Sequence, residues 1–129
     1  MLIFFKKNLK HDLERKRSEV LYHWLLQKVS AIFLLPLLCW FLFTLKDFVY
    51  RDYEGKILWF KNYANSVLLT LFLLVALFHL RLGLTIVIED YIHNVKTKNF
   101  LLNSIAILCL ILGVSTVLIV FKLSDVKNV

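Results

Sequence analysis

A chain of 129 residues in which 60% are hydrophobic, with three glycines and one proline, carries more apolar side chain than a soluble domain of that size has interior to hide it in. The formal charge of +7 does not point to nucleic acid, because the charges lie outside the apolar stretches and most precede the first one. The two cysteines, Cys39 and Cys109, fall within separate apolar stretches and form no C-x-x-C or Cys/His cluster, so they read as small apolar packers rather than a zinc site or a disulfide.

In chain order, residues 1–23 form a basic arm carrying Lys6, Lys7, Lys10, Arg15, Lys16 and Arg17. Such a cluster holds a segment on the cytoplasmic or matrix face and touches anionic lipid. A first span follows from about Trp24 to Leu45, a second from about Val67 to Ile88 and a third from about Leu101 to Phe121. Each supplies the roughly 20 apolar residues that cross a hydrocarbon core. The first span is too long for a signal-peptide apolar region and no small-x-small site follows it, so an uncleaved signal-anchor is expected. Nor does the arm have the acid-free, Arg- and Ser-rich make-up of a transit peptide.

Pro36 lies inside the first span, where membrane helices tolerate it. The linker from Lys46 to Asn65 is charged and aromatic, and Tyr50, Tyr53, Trp59, Phe60 and Tyr63 read as an interfacial belt. "YEGK" supplies its turn signal at Gly55. The linker from Glu89 to Asn99 is short, which makes the second and third spans antiparallel neighbours. Gly113, Ser115 and Thr116 suit the third for close packing against another helix. The expected fold is therefore all-α and integral to the membrane: an arm over 1–23, a three-helix transmembrane domain over 24–123 and a tail over 124–129. The arm tips the lysine and arginine balance so that the N-terminus lies inside.

The second span ends in "FHLRLGLTIVIEDYIHN", residues 78–94. On a helix of 3.6 residues per turn, with His79 at zero, Gly83 falls at about 40°, Ile86 at about −20° and Asp90 at about 20°. These share one stripe roughly 16 Å long, while Arg81 sits near 200° and Tyr91 near 120°. An imidazole near the bilayer centre is expensive unless partnered, and neutral imidazole is a standard axial ligand of haem iron. Gly83 clears room for a flat macrocycle one turn away. The plainer reading of His79 is a hydrogen bond between helices. Arg81 either snorkels to the inner surface or pairs with a haem propionate or a partner's acid, and its orientation favours the partner. Tyr91 and Asp90 stand where the helix leaves the membrane. There a phenol can donate to a quinone carbonyl and a carboxylate can relay protons; the plainer reading is a belt tyrosine beside a solvated acid.

With His79, Gly83, Asp90 and Tyr91 in place, the chain resembles the smaller membrane-anchor subunit of succinate dehydrogenase (respiratory complex II), of the b-type cytochrome kind. "HLRLG" and "VIEDY" resemble its alphaproteobacterial and early mitochondrial branch, and "HWLLQKVSAIFLLPLL", His23 to Leu38, resembles its first helix. The resemblance implies packing with a second, larger three-helix anchor and attachment of an iron–sulfur subunit and a flavoprotein subunit. His79 would be one axial ligand of haem b, with the larger anchor supplying the other. Tyr91 would bond a ubiquinone carbonyl and Asp90 would support that site. His23 and Lys28 lie where the family places basic groups near the propionates, although it more often has arginine at the Lys28 position, and lysine lacks the bidentate fork. The expected setting is a bacterial or mitochondrial inner membrane, with the N-terminus on the cytoplasmic or matrix side. No flavin, iron–sulfur or dinucleotide motif is present, so the chain would be part of an enzyme without being one alone. The rivals are the anchor of a related quinol:fumarate reductase and a cofactor-free structural or assembly protein.

Overall fold

The computed structural model describes residues 2–125, with all their side chains except those of residues 2–5, 8 and 16. The 126–129 part of the expected tail lies outside the described residues. Four helices follow one another: α1 (Leu2–Val49), α2 (Tyr53–Lys61), α3 (Tyr63–Tyr91) and α4 (Val95–Ser124). Three of them are long and apolar enough to cross a membrane, as the composition predicts. The arm and the first span form one helix of 48 residues, about 72 Å long at 1.5 Å per residue.

α3 is the middle element, packed against both α1 and α4. The α3–α4 link is only Ile92 to Asn94, which makes the two antiparallel neighbours. Asn62 and Asn94 are the N-caps of α3 and α4, each side-chain carbonyl accepting from two backbone N–H groups of the first turn. That satisfies donors which a helix start otherwise leaves open.

Few side chains are buried. Ile57, Trp59, Phe72, Leu82, Ile88 and Val120 form the apolar interior, while residues such as Phe43 (79% exposed) and Phe121 (72%) face outward. That surface would precipitate in water. Against lipid tails it costs nothing, and helix association falls to packing and interhelical hydrogen bonds instead.

The first linker differs from its sequence reading. Most of it is the helix α2, and Gly55 is no turn residue. Its N–H donates to the capping carboxylate of Asp52 (3.0 Å), and a Cβ there would stand 2.7 Å from that oxygen. Among the described residues no glycine has a positive φ, so Gly55 serves close approach rather than backbone reversal. The aromatic belt also divides. Tyr50, Tyr53 and Tyr63 are exposed, whereas Trp59 is buried. Trp59 stacks on Trp40 (6.4 Å) and meets Phe48 (5.2 Å) and Phe60 (5.1 Å) edge-on. The Ser66 hydroxyl donates to the Phe60 carbonyl and the Asn65 amide to the Trp59 carbonyl (3.3 Å). This knot ties α2 to the end of α1 and the start of α3.

Candidate functional site

His79 projects from α3 onto α1. Its Nδ1 lies 2.9 Å from the hydroxyl of Ser30, which is only 5% exposed. That same hydroxyl donates its one hydrogen to the Gln27 carbonyl at 2.9 Å. A serine has a single O–H to give. The hydroxyl oxygen is therefore placed to accept from a His79 Nδ1–H, an arrangement that in a neutral ring leaves the Nε2 lone pair open. A neutral imidazole held through one nitrogen by an oxygen acceptor, with the other nitrogen vacant, is the state in which proteins present histidine to a metal.

Gly83, one turn on, lies beside Gln27. A Cβ at Gly83 would come within 3.2 Å of the Gln27 amide nitrogen, so the glycine lets that side chain lie across α3. His79, Gly83 and Ile86 share an open groove of about 450 Å³ with Gln27, Leu80 and Leu84. Three members of the sequence stripe are thus together in space, and the groove is apolar except for His79 and the Gln27 amide. The Gln27 Oε1 is buried without a hydrogen-bond partner among the described residues.

Asp90 is not part of the groove. It and Tyr91 are exposed at the C-terminal end of α3, about 16 and 18 Å along the helix from His79 at 1.5 Å per residue. Tyr91 is 76% exposed, and neither residue has a partner among the described residues. The two basic positions part company. The Lys28 ammonium lies 4.3 Å over the Trp24 ring, a cation–π contact. His23 instead lines a pocket on the opposite flank of α3, together with Arg81, Thr85 and Asn103. Arg81 faces α4, away from His79, as the helical phase predicts.

Sequence reading gave Ser30 and Gln27 no role at the site. The signal was present: His23, Gln27 and Ser30 fall at i, i+4 and i+7, one polar face where α1 enters its apolar span. That face is the one α1 turns to α3, and Leu34, Leu37 and Phe41 continue it outward. Higher on the seam, Phe41 stacks on Phe72 at 4.7 Å.

Comparison with known proteins agrees with this layout. The family model described as succinate dehydrogenase/fumarate reductase transmembrane subunit matches residues 5–120. A succinate dehydrogenase hydrophobic membrane anchor subunit of Rickettsia prowazekii (strain Madrid E) is 36% identical over 104 residues, covering 78% of this chain and 80% of that one. A succinate dehydrogenase membrane anchor subunit of Reclinomonas americana is 30% identical over 107 residues, covering 78% and 88%. No solved structure matches the chain. With a family model spanning nearly the whole chain and anchor subunits related along four-fifths of it, this multi-pass protein belongs to the family of succinate dehydrogenase/fumarate reductase transmembrane subunits, as a hydrophobic membrane anchor of the succinate dehydrogenase type.

Proposed function

We propose that the chain attaches the iron–sulfur and flavoprotein subunits of a succinate:ubiquinone oxidoreductase to an inner membrane, co-ligates haem b with a larger anchor subunit, and forms part of the ubiquinone site. The observation that carries the haem assignment is the pair of hydrogen bonds at Ser30, which hold His79 through Nδ1 and, in the neutral ring, leave Nε2 open. A haem bound in the His79 groove supplies a one-electron relay within reach of the quinone. His79 would be its ligand from this chain, and Gln27, seated over Gly83, would offer its amide at the groove's edge. Neither propionate candidate lines this groove, Lys28 lying over the Trp24 ring and His23 on the other flank of α3.

At the inner end, Tyr91 donates its phenol O–H to a quinone carbonyl. Asp90 beside it accepts a proton from water and passes it toward the reduced quinone. Both are exposed on this chain, so the iron–sulfur subunit and the larger anchor close the site over them. The basic arm lies on the same inner side.

The assembled complex tests both parts. His79→Ala abolishes or shifts the low-spin b-type haem spectrum, and an unaltered spectrum overturns the ligand assignment. Tyr91→Phe lowers ubiquinone reduction about 100-fold, the lower end of the range for loss of a positioned proton donor, while succinate oxidation by an artificial dye persists. Equal survival of both activities leaves Tyr91 a belt residue.

A further inference from the structure

The pocket on the far flank of α3 has no role in this reading, and its chemistry is distinctive. About 350 Å³ in volume, it is lined on its polar side by His23 of α1, Arg81 and Thr85 of α3 and Asn103 of α4. No carboxylate lines it, and among the described residues Arg81 forms no ion pair. The His23 Nδ1 is buried without a hydrogen-bond partner among the described residues. A guanidinium within a membrane-spanning helix is costly unless something neutralises it. On α3 the acids nearest to Arg81 are Glu89, about 12 Å along the axis and 80° around, and Asp90 on the opposite side.

Depth and shape narrow the occupant. Along α3 from Tyr91, Thr85 lies about 9 Å and Arg81 about 15 Å in, so the polar side of the pocket begins just below the interfacial layer of about 6–7 Å and extends into the hydrocarbon. The pocket shares Phe78, Arg81 and Ala106 with an apolar groove on the α3–α4 seam. That groove shares Leu74, Cys109 and Gly113 with the next one outward. From Ala106 to Val117 this track runs about 17 Å, against about 15 Å for one leaflet's hydrocarbon. Gly113 deepens it, because a Cβ there would already touch Leu74 at 3.5 Å.

We propose that this flank binds one anionic glycerophospholipid of the inner leaflet, its phosphate on Arg81, Asn103, Thr85 and His23 and an acyl chain along the α3–α4 track. Arginine offers phosphate a planar fork of donors, and the amide and hydroxyl complete a donor set with no competing acid. The proposal does not depend on the haem reading, because the occupant and His79 lie on different flanks of α3.

The test uses the whole complex purified in mild detergent, delipidated, and titrated with phosphatidylglycerol or phosphatidylcholine while bound lipid is counted by native mass spectrometry. The wild-type complex binds phosphatidylglycerol tightly and in preference to phosphatidylcholine. Arg81→Gln weakens phosphatidylglycerol binding about tenfold, as loss of a charged hydrogen bond would, Arg81→Lys retains most of it, and Asn103→Leu gives a smaller loss. The b-type haem spectrum is the same in all three. Equal binding of the two lipids, or unchanged phosphatidylglycerol binding in Arg81→Gln, overturns the proposal. So does release of the larger anchor by Arg81→Gln with lipid binding intact, which identifies a partner carboxylate as the occupant.

Discussion

Ser30 decides what His79 can do. Its hydroxyl is committed to the Gln27 carbonyl, so its oxygen can only accept from the imidazole. Ser30→Ala removes the acceptor and leaves a buried N–H unpaired, at a cost of about 1–3 kcal/mol. It also frees the ring to change tautomer. Loss of a group that orients a metal ligand weakens metal affinity about 10–100-fold, so Ser30→Ala should lower haem retention by that factor, and Ser30→Thr should restore it. Haem titration of the variant complexes reads this directly; equal affinity in Ser30→Ala would show that the hydroxyl only joins the helices. At the same scale, Gly83 proves to have a neighbour that helical phase could not supply. The phase puts it beside His79, but only the packing brings Gln27 against it.

Among the elements, α2 is the one the chain pattern concealed. Its nine residues mix charge with aromatic groups, and a glycine near its start reads locally as a turn. In the fold that glycine admits the Asp52 carboxylate to the first turn. Gly55→Ala drives a methyl to 2.7 Å from that oxygen and breaks the cap, which costs about 1 kcal/mol. Thermal unfolding of the purified complex, or protease sensitivity of the 50–62 connection, should register the loss, while Gly55→Ser would fare no better. If Gly55→Ala is as stable as the parent, the cap contributes nothing. Trp59 illustrates the same difficulty: an interfacial tryptophan and a buried one look alike in sequence, and only its stacking on Trp40 separates them. The long helices were easier to see, since uninterrupted apolar runs specify them without reference to neighbours. Their ends were not. α1 and α3 each run beyond the apolar window, because polar residues can continue a helix into the interface once its backbone bonds are formed.

Across the whole molecule, lipid takes the place of a core. With so little apolar side chain buried, the helices are held by the Ser30–His79 bond, the aromatic stacks and close contacts such as Gly113 with Leu74. The charge bias predicts the N-terminal arm inside and α2 outside. In intact spheroplasts or mitoplasts, a membrane-impermeant maleimide should label Tyr53→Cys at once and Lys10→Cys only after permeabilisation. The native Cys39 and Cys109, both mid-span, should stay unlabelled. The reverse pattern would invert the topology.

The sequence by itself determined the solvent, the number of spans and the periodic stripe carrying His79, Gly83 and Ile86. Hydrophobic length and helical phase are local properties, and a chain displays them before it folds. Which nitrogen of His79 is free, what Gly83 accommodates and what Arg81 faces were decided only by the tertiary structure. Each depends on a residue 22 or more positions away in sequence — Ser30 and Gln27 on α1, Asn103 on α4 — brought alongside by antiparallel packing. Periodicity within one helix carries no record of which face of the next will meet it.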